Sequence, residues 1–191
     1  MRILFYTMNW YPFEGSIQPI YAAVLRSLQA AGHTVTILTS IPHRIPGRSE
    51  RWEQYRGAFF RRETWEGAEV VRVWTCSPAF LGRFKILVRL LSMVTFCLAS
   101  LIVGLFLRKK CDIVLTVSHP PIAIGLNSRL IALAKRCPFV YCLEDIYPDI
   151  LVEARLIRRG LSFRLLRFLE RWIYRKAGRV CVLSESMKAN L

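Results

Sequence analysis

The chain has 191 residues, 28 Lys and Arg against 13 Asp and Glu, a formal net charge of +15, and 53% hydrophobic residues. Intrinsic disorder is excluded, because disorder needs high charge together with low hydrophobicity, and a chain this long can bury a core without staples. Strong basicity joined to an apolar excess calls for an anionic partner, a membrane surface, or both.

Residues 2–8 are almost continuously apolar and stop at Asn9 and Pro12, as expected of a strand buried on both faces. No small-residue cleavage site follows this short run, so it does not read as a signal peptide and a cytosolic or cytosol-facing location is expected. After a loop with Glu14, Gly15 and Ser16, the residues Ile17, Tyr21, Val24, Leu25 and Leu28 share one helical face, and Gly32 stands at the C-terminal cap. A second, β-branched strand covers 34–39. The interval 40–67 lacks clear periodicity and interleaves Arg44, Arg48, Arg51, Arg56, Arg61 and Arg62 with Trp52, Tyr55, Phe59, Phe60 and Trp65. Further strands are expected at 69–74, 112–117, 139–143 and 179–183, with helices over 122–136 and 161–176. This order gives an α/β fold: one Rossmann-like domain over 1–191 with a doubly wound, mostly parallel sheet.

Two segments bear on the charge and apolar excess. Residues 86–107 hold Arg89 near their start, then about 18 uncharged residues, then Arg108-Lys109-Lys110. That length is the lower edge for a bilayer span. Three placements are open: burial against the sheet, shallow in-plane insertion, and a span. The span meets a topological objection, because it would put strands of one sheet on opposite sides of the membrane. Apolar residues on every face favour the membrane surface over burial. Residues 155–176 carry Arg155, Arg158, Arg159, Arg164, Arg167, Arg171, Arg175 and Lys176 against Glu170 alone. Leu161, Leu165, Phe168, Leu169, Trp172 and Ile173 form an apolar stripe expected to pack inward while the arginines reach lipid phosphates. The expected membrane-facing set is Arg89, Arg108, Lys109, Lys110, Arg164, Arg167 and Arg171. The six cysteines have no CxxC spacing and read as free thiols, four of them (Cys97, Cys137, Cys142 and Cys181) within apolar runs.

Chemistry is sought at the C-terminal ends of the strands, where open α/β sheets bind ligands. The loop after the first strand has neither GxGxxG nor GxxxxGK[ST], which disfavours dinucleotide and P-loop chemistry. The fourth strand runs into Ser118-His119-Pro120-Pro121, where His119 can serve as a base or phosphate ligand, or simply as a structural histidine. The fifth ends at Glu144-Asp145-Ile146-Tyr147-Pro148-Asp149, whose carboxylates suit acceptor or cation binding, or a helix N-terminus, equally.

Several motifs run in order through nearly the whole chain: Asn9-Trp10-Tyr11-Pro12-Phe13-Glu14-Gly15, Ala31-Gly32-His33-Thr34-Val35-Thr36, Tyr55-Arg56-Gly57, Glu66-Gly67-Ala68-Glu69-Val70, Ser118-His119-Pro120-Pro121, Asp145-Ile146-Tyr147-Pro148-Asp149, and Leu183-Ser184-Glu185-Ser186. Together they resemble the N-terminal domain of the family 4 retaining glycosyltransferases of GT-B architecture, of the bacterial O-antigen, colanic acid and exopolysaccharide type. The resemblance implies an acceptor-binding half, with a nucleotide-sugar as co-substrate, no metal and no other cofactor. It further implies that Gly15 and Ser16 face the donor diphosphate, that His119 lies near the reacting hydroxyl as the catalytic residue, and that Glu14, Glu144, Asp145 and Asp149 line the acceptor side. The implied partners are an anionic membrane surface, a polyprenyl-diphosphate-linked sugar acceptor, and a C-terminal donor-binding domain or partner chain that this sequence lacks. The expected location is the cytoplasmic face of the inner membrane, peripheral or monotopic, and the chain is expected to be a fragment or split half, inactive alone. Two other readings are a non-catalytic membrane-surface module and a nucleic-acid binder. The second is set aside because no nucleic-acid motif accompanies the arginines.

Overall fold

The computed structural model describes residues 1–12, 18–42, 55, 57–77, 84–107, 109–153, 155, 157–189 and 191. In chain order the elements are β1 (Arg2–Tyr6), α1 (Gln18–Ala30), β2 (Thr34–Ser40), β3 (Phe60–Trp65), β4 (Ala68–Val73), α2 (Lys85–Phe106) and β5 (Ile113–Val117). They continue as α3 (Ala123–Lys135), β6 (Phe139–Leu143), α4 (Asp149–Glu153), α5 (Leu161–Lys176), β7 (Arg179–Val182) and α6 (Glu185–Ala189). One seven-stranded sheet has the order β3-β4-β2-β1-β5-β6-β7, parallel except for β3. The expected doubly wound α/β fold is therefore what the chain adopts.

The strand at 60–65 was not expected. β3 pairs antiparallel with β4 through a two-residue turn at Glu66 and Gly67, with φ of 45° and 81°. Positive φ at both central residues is the hairpin geometry that matches strand twist. As an edge strand β3 is half exposed and carries Arg61, Arg62 and Glu63, so it has no apolar run to reveal it.

The sheet separates two cores. Ile3, Phe5, Val35, Ile37 and Val70 pack with Tyr21, Ala22 and Leu25 of α1 on one face. Leu4, Tyr6, Leu38, Val71, Val114 and Tyr141 pack on the other against α2, α3 and α5. The three helices of this second layer are held close by two glycines. A Cβ on Gly104 of α2 would lie 2.5 Å from Ile131 Cδ1 of α3, and one on Gly125 of α3 would lie 2.9 Å from Ile173 Cγ2 of α5.

This layer shows how the long apolar helix packs. α2 connects β4 to β5 within one sheet and keeps Ser92, Phe96 and Ser100 fully buried. Ser100 Oγ and Tyr6 Oη are hydrogen-bonded at 2.5 Å, and Asn127 Nδ2 of α3 donates to Cys97 O at 2.7 Å. By length and composition α2 could cross a membrane, and its middle turns are fixed to the sheet and to α3 by these contacts. It is not covered on all sides: Ile86, Leu87, Leu90, Val94, Leu98, Ile102 and Phe106 are exposed.

On α5 the expected inward stripe is corrected. Ile173 is buried and Leu169 and Trp172 half-buried, but Leu161, Leu165 and Phe168 point outward. Their places inside are taken partly by Glu170, whose carboxylate accepts from the Tyr147 N–H at 2.8 Å. The thiols also differ from one another: Cys97 is buried, whereas Cys181 on the last strand is exposed.

Candidate functional site

α1 covers one face of the sheet and α3 the other, so the direction of winding reverses between β1 and β5. The crevice outside the C-terminal ends of these strands is where such sheets bind ligands. β5 and β6 are parallel neighbours, with Val117 opposite Cys142, so the residues that follow them lie side by side. Ser118, His119, Glu144 and Asp145 thus share one edge. Ser118 ties it together: its N–H donates to Cys142 O and its Oγ accepts from the Glu144 N–H, both at 2.9 Å. Nothing in the sequence pattern distinguished Ser118; its register beside β6 makes it the clasp.

Glu144 is half-buried, and its Oε1 is buried with no hydrogen-bond partner among the described residues. Burial, and then the neighbouring Asp145 charge, push its carboxyl up to about 7. Asp145 is exposed. Tyr21 of α1 lies beneath, its phenol raised by burial and then by nearby groups that include Glu144. A carboxyl held near neutrality at a crevice can donate a hydrogen bond when protonated and accept one when ionised.

This shift has a consequence for stability. The folded state holds the Glu144 proton more tightly than the unfolded chain does. The penalty of burying the carboxylate is therefore absent below the ordinary glutamate range, grows up to about pH 7, and is complete above it. Glu144→Gln is expected to raise the melting temperature at about pH 8 and to leave it unchanged at about pH 4. Equal shifts at both pH values would remove this assignment.

The loop from Glu144 to Asp149 is anchored on α5. Tyr147 donates its N–H to Glu170, and Asp149 accepts from Arg167 Nη1. Arg167 also lies 3.7 Å from Glu170, so this arginine is engaged inside the protein instead of facing outward as expected. Asp149 is likewise committed to Arg167 and helps to place this loop. Arg89 is exposed on α2 and lowers the otherwise raised Tyr147 phenol, which puts it within electrostatic reach of this loop. Arg164 and Arg171 are exposed. Lys109 and Lys110 lie at the opposite edge of the sheet, before β5, with Lys109 Nζ 2.7 Å from Glu69. Glu14, Gly15, Ser16 and Arg108 lie outside the described residues, as do Arg44, Arg48, Arg51, Trp52 and Arg56. Gln18 at the start of α1 is a residue the sequence reading passed over: it is buried, and its Oε1 has no partner among the described residues.

Comparison with known proteins bears on this geometry. The catalytic domain of starch synthase IV from Arabidopsis thaliana, bound to ADP and acarbose, superposes with a TM-score of 0.51 and 15% identity, covering 75% of this chain and 34% of that one. Arabidopsis thaliana UGT89C1 complexed with UDP gives a TM-score of 0.50 and 14% identity, covering 96% of this chain and 42% of that one. The chain therefore spans less than half the length of either structure. A search of curated protein sequences gives no match. The family described as "Glycosyl transferase 4-like domain" matches residues 15–191. A sheet wound as in GT-B enzymes and a family match over nearly its whole length leave one conclusion: the chain belongs to the glycosyl transferase 4-like family, with the fold of a GT-B N-terminal domain.

Proposed function

We propose that the chain is the acceptor-binding half of a membrane-associated retaining glycosyltransferase, which moves a sugar from a nucleotide-sugar to a polyprenyl-diphosphate-linked acceptor in cell-surface polysaccharide synthesis. The observation that carries this reading is that His119 and the Glu144-Asp145 pair follow the neighbouring parallel strands β5 and β6 at one sheet edge of a glycosyl transferase 4-like domain. The uncovered apolar face of α2 supports a bilayer as the place where the acceptor is met, at the cytoplasmic face of the inner membrane.

In this mechanism the carboxylates of Asp145 and Glu144 accept hydrogen bonds from acceptor hydroxyls and orient one of them toward the anomeric carbon. The imidazole of His119 hydrogen-bonds the sugar at the reacting centre. The donor nucleotide is held by a second domain, joined to this one or supplied as a separate chain, so this half is inactive alone. Its basic groups neutralise the departing diphosphate, which the loop at Gly15 and Ser16 faces and whose oxygen takes the proton of the acceptor hydroxyl, without a metal ion.

The test is sugar transfer from a nucleotide-sugar to a polyprenyl-diphosphate-linked acceptor on vesicles, with the donor-binding domain present. His119→Ala is expected to lower kcat by about 100-fold or more, the scale of one positioned hydrogen bond at the reacting centre, while the acceptor KM changes little. Unchanged turnover would end the proposed role and favour a membrane-binding module without catalysis.

A further inference from the structure

We infer that Cys111 and Cys137 form a reversible oxidation site, which closes to an internal disulfide by exchange with an anionic low-molecular-weight disulfide such as oxidised glutathione. The two Sγ atoms lie 3.5 Å apart and share a hydrogen bond. Strand register brings them together. β5 and β6 pair in parallel from Val114 opposite Phe139, and the Val114 N–H donates to Pro138 O at 3.1 Å. Cys111 stands just before β5 and Cys137 just before β6, at the end of the sheet opposite the candidate site. Both lie outside the ladder, so small rotations about the Cα–Cβ bonds bring the sulfurs to bonding distance without parting the strands. Cys142 and Cys181 make the contrasting pair. They face each other within the β6–β7 ladder, where backbone hydrogen bonds fix their separation.

Both thiols are half-buried, within reach of a small reagent. Cys111 lines a pocket whose cations are Arg2, Lys109, Lys110 and Lys135. Asp112 engages Arg2 and Glu69 engages Lys109. Lys110 and Lys135 have no carboxylate partner among the described residues, so the pocket keeps a positive surplus that draws in an anionic disulfide. Burial raises both thiols, Cys137 to about 12, while the Cys137 S–H and the Lys135 charge favour the thiolate of Cys111. Cys111 is therefore the attacking sulfur. Its thiolate attacks one sulfur of oxidised glutathione and expels one glutathione thiolate, leaving a mixed disulfide. Cys137 then loses its proton and attacks Cys111 Sγ, expelling the second glutathione thiolate. Two electrons pass from the pair to the reagent, and the two thiol protons end on the two glutathione molecules released. The new bond fastens the β5–α3–β6 unit at the end away from Ser118, His119 and Glu144.

The test is incubation of the purified chain with millimolar oxidised glutathione at about pH 8, alkylation of the remaining thiols, and mass mapping. A Cys111–Cys137 disulfide is expected, with Cys142 and Cys181 alkylated and the bond reversed by dithiothreitol. The oxidised chain should melt about 8 °C higher, the scale of a disulfide closing a loop of this length in a chain of this size. Cys137→Ser should stop at the mixed disulfide on Cys111. Raising the salt from about 10 mM to about 1 M should slow the reaction with oxidised glutathione about 10-fold and leave that with the uncharged hydroxyethyl disulfide unchanged. A bond between Cys142 and Cys181 instead would overturn the inference, and so would a mixed disulfide on Cys111 that persists beside a free Cys137. Thiols that all remain free after hours would also overturn it. Equal salt dependence of the two reagents would remove the pocket's part in choosing an anionic one.

Discussion

Replacing Leu90, Val94 and Leu98 together by aspartate is expected to reduce partitioning onto vesicles by about 1,000-fold, with little change in melting temperature. The three side chains are 54%, 55% and 59% exposed and follow one another at four-residue steps along the bare face of α2. Each has about half its surface left to bury, so each contributes about 1.5 kcal/mol on entering acyl chains, and the three sum to roughly 4–5 kcal/mol. None of them contributes to the polar contacts beneath the helix, where Ser100, Tyr6, Asn127 and Cys97 O are joined. Exposed substitutions away from such contacts move stability by about 0.5 kcal/mol or less. Unchanged partitioning would mean that this face meets protein instead of lipid.

The largest effect on stability is expected at Glu63. Arg72 of β4 has a side chain only 2% exposed, and its guanidinium lies 2.5 Å from Glu63 Oε1. It also donates to Ser40 O and Tyr11 O and sits 5.3 Å from the centre of the Tyr55 ring. Tyr55 Oη in turn donates to Glu63 Oε2 at 2.8 Å. Glu63→Ala therefore leaves a buried charge without its carboxylate, a loss of about 3–5 kcal/mol. That is a large share of the roughly 5–15 kcal/mol that holds a typical domain together. Adding Arg72→Met should restore part of the loss, because the uncompensated charge is then gone. Urea unfolding reads both variants, and a cost below about 1 kcal/mol for Glu63→Ala would refute the pairing. The arrangement also matters for the site, since Arg72 holds the carbonyl of Tyr11 in the segment that leads to Glu14, Gly15 and Ser16.

The fold was legible wherever the burial of a strand showed as an apolar run. β1, β2, β5 and β6 lie within a residue or two of their expected bounds because the sheet centre is covered on both faces. β3 was not legible, since an edge strand bearing Arg61, Arg62 and Glu63 needs neither an apolar face nor alternation. On α5 the apolar and basic residues recur at the same helical spacing, and spacing alone cannot say which face turns inward. Tertiary packing decided it by burying Glu170 and Ile173 and leaving Leu161, Leu165 and Phe168 outside. At the candidate site, His119 and Glu144 could be placed at one sheet edge from strand order. The clasp from Ser118 and the anchoring of Asp149 by Arg167 depend on side-chain geometry across elements that are far apart in sequence. Exposed apolar side chains and, among the described residues, unpaired arginines are both found on the helix layer of α2, α3 and α5.

The most direct measurement is an NMR titration of the isotopically labelled chain with a short-prenyl diphosphate sugar that stays soluble. If the chain is the acceptor-binding half, saturable shifts are expected at Ser118, His119, Glu144 and Asp145, with Glu144→Gln and His119→Ala weakening them. Shifts confined to the α5 arginines, or none at that sheet edge at saturating ligand, would contradict it.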